Sequence, residues 1–428
     1  AGGVERVMDV SSPRLWLCGD HDGAPHSAAA PRAALYLTLS NPSPLPLFFS
    51  QLPPTASDHP QPTTVVFDPS AMGLCAALLP QTSPAAHFCL SPRRPRSPGV
   101  RRFRVSCVDT AATDAASSRS SKETQLIVSI TGATGFIGRK LVQKLLAGKH
   151  EVRVLTRSKA KAQLVFPVEN FPKVTIAEES EWKKCIQGSS AVVNLAGMPI
   201  STRWSPEIKK EIKESRTRVT SKVVDLINTT SYEVRPSVLV SATAIGYYGT
   251  SETKVFDEQS PSGNDYLSEV CREWEERALE VDKDVRLALI RIGIVLGKEG
   301  GALARMIPFF MMFAGGPFGT GRQWFSWIHL DDLLSLILEA LTNPSYKGVI
   351  NGTAPNPVRL SEMCDRLGEV MGRPSWLPVP DFALKAMLGE GSTIVLEGQK
   401  VLPSKAEELG FSFKYPYIKD ALKAIMLS

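Results

Sequence analysis

The feature that most constrains this chain is an apolar run that leads directly into a glycine-rich turn. Residues 125–130 read QLIVSI, residues 131–138 read TGATGFIG, and apolar residues then recur at helical spacing to residue 147. A short β-rich apolar run without alternation is typical of a strand buried in a parallel sheet. The sequence therefore predicts a strand, a tight turn and a helix in immediate succession.

Each glycine of this turn has its own physical role. Gly132 permits the tight turn, Gly135 lets a pyrophosphate approach the backbone, and Gly138 lets the helix pack closely on the strand. The helix N-terminus adds free N–H groups and the positive end of its dipole. This pattern predicts a dinucleotide site, and the expected cofactor-binding residues are Thr131, Gly132, Thr134, Gly135, Phe136, Ile137, Gly138, Arg139, Arg157, Asn194, Ala196 and Gly197.

The end of the second predicted strand, residues 150–156, indicates which dinucleotide is bound. Sites that prefer NAD usually place Asp or Glu there to bind the ribose 2′-hydroxyl. The residue 19 positions after Gly138 is instead Arg157, and Arg139 adds a second positive charge. A cation suits a 2′-phosphate, so we expect the cofactor to be NADP(H). The alternative is that Arg157 is a solvated surface residue.

Strands and helices alternate through the rest of the chain. Further strands are predicted at residues 191–197, 237–241 and 286–295, and further helices at 206–228 and 267–281. Such alternation predicts an α/β fold with a doubly wound parallel sheet of the Rossmann type. Seven cysteines occur without a CxxC pair or a neighbouring histidine cluster, so neither a disulfide framework nor a metal site is expected.

Composition divides the chain near Lys122, which is its first lysine, and 16 of the 32 prolines precede it. Residues 1–71 are expected to be disordered, as upstream translation or as a region with its own role. Residues 72–107 are rich in Ser, Ala and Arg and lack Asp and Glu, as in a chloroplast transit peptide, and Val105-Ser106-Cys107 fits its cleavage pattern. Residues 108–123 would be a linker. The net charge of +6 does not call for a nucleic-acid partner.

The motifs TGATGFIG, NLAG, SATAIGYYG, RIGIVLG and WIHLDDL, in this order, resemble the extended short-chain dehydrogenase/reductases. More narrowly, they and the tail from about residue 377 resemble the epimerase-like branch, within the NAD-dependent epimerase/dehydratase family. The resemblance implies a Rossmann domain at residues 124–345 that holds NADP(H). It also implies a small C-terminal α+β substrate lobe at 346–428, which includes the branch's small domain.

Members of this superfamily use a Ser or Thr, a Tyr, and a Lys four residues after the Tyr. Thr243 and Tyr266 match the first two positions, with Ser241 as a neighbour to test, and the resemblance makes them the catalytic candidates. The position four residues after Tyr266 is Val270. A tyrosine with an ordinary pKa of about 10 is a poor base at neutral pH, so turnover by the usual route should be slow or absent.

Two further departures concern the substrate. Sugar-nucleotide epimerases usually carry Asn and Arg at the positions that are Ile294 and Phe325 here, which argues against a UDP-sugar. The interpretation preferred for His329 and Asp332 is a structural turn and helix cap. Aromatic residues are expected in part to line an apolar pocket and in part to belong to the core, and they are Trp204, Tyr247, Trp324 and Trp327.

Three functions remain at this point. The first is an NADP(H)-dependent oxidoreductase or epimerase-like protein of the chloroplast stroma with an unknown small-molecule substrate. Resemblance to plastid members implies a positive role in chloroplast division and contact with the stromal face of the inner envelope. The second is a redox sensor or scaffold without turnover, and the third is a sugar-nucleotide epimerase. A homo-oligomer or a division-apparatus partner is expected. The C-terminal apolar stripe at residues 416–428 either packs on its own domain or lies on a membrane.

Overall fold

The structure is a computed structural model that describes residues 125–427. The segments predicted at 1–71, 72–107 and 108–123 lie outside this range. The strands are β1 Ile127–Thr131, β2 Glu151–Leu155, β3 Val174–Ala177, β4 Ala191–Asn194, β5 Val238–Ala244, β6 Val255–Phe256, β7 Arg286–Ile292, β8 Ile294–Gly297, β9 Trp324–Phe325, β10 Trp327–His329, β11 Gly348–Gly352, β12 Val358–Arg359 and β13 Lys400–Val401. The α-helices are α1 Phe136–Ala147, α2 Lys159–Val165, α3 Trp182–Ile186, α4 Pro206–Asn228, α5 Tyr266–Leu279, α6 Gly301–Met311, α7 Leu330–Thr342, α8 Leu360–Met371, α9 Asp381–Leu388, α10 Thr393–Leu396, α11 Ser404–Glu408 and α12 Ile418–Leu427.

Seven strands form a parallel sheet in the order β11-β7-β5-β4-β1-β2-β3. The chain crosses from β1 outward through β2 and β3, and then returns to the other side of β1 through β4. The predicted doubly wound sheet is therefore confirmed. In such a sheet ligands bind in the crevice at the carboxyl ends of the strands where the direction of winding reverses, which is between β1 and β4.

Apolar side chains cover both faces of the sheet. One core contains β1 side chains such as Ile130 together with Leu141 from α1 and Ile337 from α7. The other contains Val192 from β4 and Ile227 from α4. These side chains are almost completely buried, and each contributes about 1.5–3 kcal/mol relative to exposure. The sheet that carries the site is thus fixed from both sides.

Most strand and helix ends differ from the predicted ones by one to three residues, and two differences change the sheet topology. The strand predicted at 286–295 is divided at Gly293, where a side-chain Cβ would lie 2.7 Å from the Ser326 carbonyl oxygen. The chain therefore leaves the large sheet there, and β8 pairs with β10. At the other end of the sequence, β11 extends the large sheet past the boundary predicted at residue 345. The β11 strand is too short for its apolar pattern to assign it to a sheet from sequence alone.

The C-terminal segment builds a second apolar core. Trp327 and Phe310 pack there with Leu367 of α8 and with Leu422 and Ile425 of α12, and all five are buried. The apolar stripe of α12 thus packs on its own chain, the first of the two predicted alternatives. Among residues 125–427, no helix is both long enough and apolar enough to cross a membrane.

Candidate functional site

A cavity of about 820 Å³ lies at the switch point between β1 and β4. Its floor is formed by the glycine-rich turn and the ends of β4, β5 and β7. Its walls come from α4 and α5, and its roof comes from residues 390–399 of the C-terminal segment. The predicted site residues that line it are Gly132, Gly135, Phe136, Ile137, Gly138, Ala196, Gly197, Thr243 and Tyr266.

The glycine-rich turn is held in a conformation that side chains would disrupt. Gly132 has φ +68°, and a Cβ there would lie 2.6 Å from the Leu195 carbonyl carbon. A Cβ at Gly138 would lie 2.3 Å from the Gly132 carbonyl oxygen. The N-cap of α1 is Gly135, which has no side chain to bind the first N–H groups of the helix. The turn therefore leaves a backbone cradle with donors for an anion.

Two residues predicted to bind cofactor lie beneath this turn instead. The Thr131 hydroxyl donates to Asn194 Oδ1 at 2.6 Å, and the Asn194 amide donates to Thr220 Oγ1 at 2.8 Å and Ser241 Oγ at 3.2 Å. Thr131 and Asn194 are almost fully buried and do not line the cavity. Their side chains tie β1 and β4 to α4 and β5, so they position the turn. The glycine pattern does not show which polar side chains point into the sheet.

Three more predicted residues lie outside the cavity wall. Thr134 and Arg157 are exposed, and Arg139 is half-buried on α1. Arg157 lies two residues after the end of β2 at Leu155, and Ser158 after it is the N-cap of α2, accepting from the Lys161 backbone N–H at 3.4 Å. This is the place relative to β2 where a ribose 2′-substituent is read in the Rossmann fold.

Thr243 reaches the cavity floor from β5, but its hydroxyl proton is engaged. It donates to Glu275 Oε1 at 3.1 Å. Glu275 in turn binds Arg291, with Nε to Oε1 at 2.8 Å and Nη2 to Oε2 at 2.7 Å. All three side chains are buried. In this arrangement Thr243 offers only its lone pairs to a ligand.

The Arg291–Glu275 pair belongs to a wider buried network that sequence reasoning missed. Arg291 Nη1 donates to the Tyr248 hydroxyl at 3.0 Å, and that hydroxyl donates to Asn351 Oδ1 at 2.7 Å. The guanidinium also lies 3.4 Å from the Tyr247 ring centroid. Burial raises the pKa of Tyr248 to about 12, against the nearby charge of Arg291. An arginine within an apolar strand is the signal that could have indicated this network.

Tyr266 begins α5, where Asp265 accepts the Ser268 backbone N–H at 2.8 Å as the N-cap. Its hydroxyl donates to the backbone carbonyl of Lys209 on α4. The Trp204 ring lies edge-on to it with centroids 5.3 Å apart. Burial raises the pKa of Tyr266, and the positive charge of Arg216 is the largest influence that lowers it. Tyr266 is therefore a neutral acid at physiological pH.

Arg216 lines the cavity, and the sequence did not reveal it. It lies within the long polar helix α4, where charged residues are usually solvated. The structure turns it inward, with Nη1 donating to the Ile212 carbonyl at 2.8 Å and Nη2 to the Met198 carbonyl at 2.9 Å. Burial lowers its pKa. The local signal of this orientation is that Arg216 lies close to Ser215 and Thr220 on α4, and both of those residues are also buried.

The aromatic candidates divide as predicted. Trp204 and Trp324 line the cavity, Trp327 is fully buried in the second core, and Tyr247 covers Arg291. Polar groups of the roof bind the walls: Glu390 accepts from Lys209 Nζ at 2.9 Å, and Glu397 accepts from Thr250 at 2.9 Å. The C-terminal segment therefore closes the cavity.

The remaining candidates have structural roles. His329 is the N-cap of α7, and its Nδ1 accepts the Asp331 backbone N–H at 3.0 Å, which confirms the predicted cap. Asp332 is also structural, but it accepts from the backbone of Lys414 and Tyr415 at 2.8 and 3.0 Å and so holds the segment before α12. Burial raises the pKa of the Cys271 thiol to about 12. Among residues 125–427, no three His, Cys, Asp or Glu residues are grouped so as to hold a metal ion.

Comparison with known proteins assigns the family. Residues 128–351 match the NAD dependent epimerase/dehydratase family, and residues 379–425 match a domain of unknown function, DUF1731. The crystal structure of human epimerase family protein SDR39U1 with NADPH is 33% identical, with a TM-score of 0.65, and covers 71% of this chain and 100% of that one. A Bacillus cereus UDP-glucuronic acid 4-epimerase is 18% identical, with a TM-score of 0.58, over 70% of this chain and 98% of that one, and shares the fold.

Two relatives align with this chain over nearly their whole length. The Arabidopsis thaliana protein described as "Epimerase family protein SDR39U1 homolog, chloroplastic" is 71% identical over 81% of this chain and 98% of its own. Epimerase family protein YfhF of Bacillus subtilis is 37% identical over 70% of this chain and 97% of its own. The chain therefore belongs to the NAD dependent epimerase/dehydratase family.

Proposed function

We propose that this protein is an NADP(H)-dependent oxidoreductase that acts on a small carbonyl or alcohol. The observation that carries the proposal is one cavity that contains the glycine cradle, Thr243 and Tyr266. The human relative solved with NADPH supports the cofactor. The apolar walls, with Trp204 and Trp324, favour a substrate with an apolar body.

The residues present fit a dinucleotide. The turn packs too closely for a Cβ at Gly132 or Gly138, which would overlap backbone atoms, and the uncapped start of α1 offers N–H donors to a pyrophosphate. Arg157, and from α1 Arg139, would hold the 2′-phosphate. The bound nicotinamide supplies hydride chemistry; the protein's part is to orient the substrate oxygen beside the Tyr266 hydroxyl and to exclude water with the roof.

The cofactor assignment is tested by Arg157→Asp. We expect NADPH affinity to fall by about tenfold or more, since a carboxylate repels the 2′-phosphate, while NADH affinity rises. Isothermal titration of both cofactors measures the ratio. Lys161→Asp, an exposed charge reversal on α2, is the matched control. A ratio unchanged by Arg157→Asp would refute the role of this residue.

A second candidate is a cofactor-binding regulator without turnover. It is favoured by Val270 and by the two hydroxyls, since Thr243 and Tyr266 both donate to acceptors of the protein. A panel of carbonyl compounds with deuterium-labelled NADPH separates the two functions. Deuterium in any product supports the oxidoreductase, and its absence across the panel with intact NADPH binding supports the regulator.

A sugar-nucleotide epimerase receives less support from the site. Ile294 lines the cavity, and Phe325 is buried in the second core, so neither position supplies the polar group that holds a diphosphate. Direct titration with UDP and UDP-glucose checks this, and we expect no saturable binding to the NADPH-loaded protein.

We also propose a place in the chloroplast stroma and a positive role in chloroplast division. The support for the plastid location is the chloroplastic relative, whose alignment is longer than the described range and so includes residues before 125. The role in division follows from the resemblance to plastid members of the family. Contact with the inner envelope, self-association or a division-apparatus partner belongs to this proposal, although the α12 stripe does not support a membrane role because it is buried. Plastid number in plants that lack the gene, complemented with the wild type or with Gly138→Ala, tests whether division depends on the cofactor site.

A further inference from the structure

One face of α5 carries the position at which the usual lysine is missing. Tyr266, Val270 and Trp274 follow each other at four-residue intervals and all line the cavity. Residues at this spacing lie one above the other on a helix. A lysine at position 270 would start one turn from Tyr266 on this same face of α5.

A positive charge reaches this same stripe from the neighbouring helix. α4 packs against α5, and the Arg216 guanidinium carbon lies 5.3 Å from the Trp274 ring centroid. The two carbonyl bonds of Arg216, to Ile212 and Met198, fix it in the cavity wall. A Cβ at Gly197 would lie 3.3 Å from the guanidinium carbon, so the absence of a side chain there leaves room for Arg216.

The charge of Arg216 is not neutralised by a carboxylate. Lys209 Nζ lies 4.8 Å from the Tyr266 ring centroid, but it is paired with Glu390, and Lys213 is paired with Glu269 and Glu273. By contrast, no Asp or Glu of residues 125–427 forms an ion pair with Arg216, whose acceptors are two backbone carbonyls and an aromatic face. A guanidinium that is half-buried and unpaired acts on nearby ionisable groups at a lower effective dielectric than water provides.

We propose that Arg216 supplies, from α4, the positive charge that Val270 removes from α5, and that it acts through Tyr266. This inference rests on the proposed function. When a carbonyl is reduced, its carbon would gain a hydride from NADPH, whose C–H bond breaks to leave NADP+, and its oxygen would take the Tyr266 proton as the carbonyl π bond is lost. The bond between that proton and the tyrosine oxygen breaks, which leaves a negative charge on Tyr266. Arg216 lowers the free energy of this tyrosinate, as the lysine does in the usual arrangement.

The cofactor-free protein gives the first test. The ultraviolet absorbance of tyrosinate is titrated against pH, and the difference between wild type and Tyr266→Phe isolates Tyr266. Arg216 and the Tyr266 hydroxyl donate to the carbonyls of Ile212 and Lys209, which are three residues apart on α4, so the guanidinium and the tyrosine oxygen lie at neighbouring carbonyls of one helix. We therefore expect Arg216→Gln to raise the pKa of Tyr266 by about one, because a nearby opposite charge lowers the pKa of an acid. Arg218→Gln, which removes an exposed charge from the same helix, should leave it unchanged. An unchanged pKa in Arg216→Gln would overturn the proposal.

A gain-of-charge variant keeps the test open if Arg216→Gln fails to fold. In Val270→Lys the usual lysine returns beside an intact Arg216. Because the charge is already supplied, we expect the rate of carbonyl reduction to rise less than about threefold. A rise of a hundredfold or more would contradict the proposal, since it would show that no positive charge had stabilised the tyrosinate in the wild type.

The double variant Arg216→Gln/Val270→Lys provides the rescue. The pKa of Tyr266 should return close to the wild-type value, and the alkaline limb of the rate profile should move back with it. If Arg216 only held the Met198 carbonyl in place, the pKa of Tyr266 would not return in the double variant. If wild type shows no turnover while Arg216→Gln still shifts the pKa of Tyr266, the proposed oxidoreductase fails and the electrostatic role remains.

Discussion

The buried pair of Arg291 and Glu275 gives the sharpest stability prediction. The side chains are only 4% and 7% exposed and are joined by two hydrogen bonds. In Arg291→Met the apolar stem is retained, but the Glu275 carboxylate loses both bonds and keeps only the Thr243 hydroxyl. Removing one partner of a buried pair typically costs about 3–5 kcal/mol, because the remaining charge is left uncompensated.

Urea unfolding at pH 7.5 measures this cost, from the shift in midpoint at constant m-value. We expect a loss of about 3–5 kcal/mol for Arg291→Met. The control is Arg277→Met, which breaks an ion pair with Glu280 in which each side chain is about half exposed. We expect the loss in unfolding free energy for this control to stay below about 0.5 kcal/mol.

The double variant Arg291→Met/Glu275→Leu identifies the cause. Replacing both charges by apolar groups removes the unpaired carboxylate, so most of the loss should be recovered, as buried pairs often tolerate such replacement. A double variant as unstable as the single one would refute the electrostatic reasoning, because packing would then account for the loss. A loss below about 1 kcal/mol in Arg291→Met alone would refute it as well.

Three further predictions concern separate parts of the molecule. Gly138→Ala should cost about 1–3 kcal/mol and weaken NADPH binding, because its Cβ would overlap the Gly132 carbonyl; calorimetry checks both, and unchanged binding would contradict the cradle. Burial lowers the pKa of His329 to about 4 from 6.5, so on acidification the unfolded chain binds this proton before the folded protein does. The free energy of unfolding that neutral His329 contributes is therefore complete above pH 6.5. It declines by about 3 kcal/mol as the pH falls from 6.5 through 4. His329→Asn keeps a cap acceptor and should flatten that decline in urea midpoints, and an equally steep decline would assign it to other groups. Cys271, with a pKa of about 12, should resist iodoacetamide at pH 8 in the native protein and react after unfolding, as mass spectrometry would show.

Sequence information was sufficient wherever one local signal determines one element. α4 is predicted at 206–228 and observed there, because Ser205 caps it and Pro206 suits its first turn. The glycine cradle is predicted because the conformation of Gly132 and the packing of Gly138 are local requirements. The winding of the sheet follows from the alternation of predicted strands and helices along the chain.

The chemistry of the walls could not be predicted because it depends on side chains far apart in sequence. Arg216 and Trp274 meet only because α4 packs against α5, and Arg291 meets Glu275 only when β7 lies beneath α5. Thr131 and Asn194 show the same limit, since their burial depends on the register of β1 and β4. The motifs marked Thr131 and Asn194 but did not mark Arg216, and three-dimensional packing decides the role of each residue.

The inward hydrogen bonds of Thr243 and Tyr266 do not by themselves decide between an enzyme and a regulator, because little is lost when either bond is exchanged for a substrate. The Lys209 carbonyl that accepts from Tyr266 lies within α4, where it also accepts a helical N–H, so it stays satisfied when the tyrosine turns away. Glu275 likewise retains two bonds from Arg291 when Thr243 leaves. Each exchange trades one net hydrogen bond of about 1 kcal/mol for another. The deprotonated tyrosine is different, since it adds a charge to a half-buried wall. The choice between the two functions therefore depends on the stability of that charge, and Arg216 is placed to provide it.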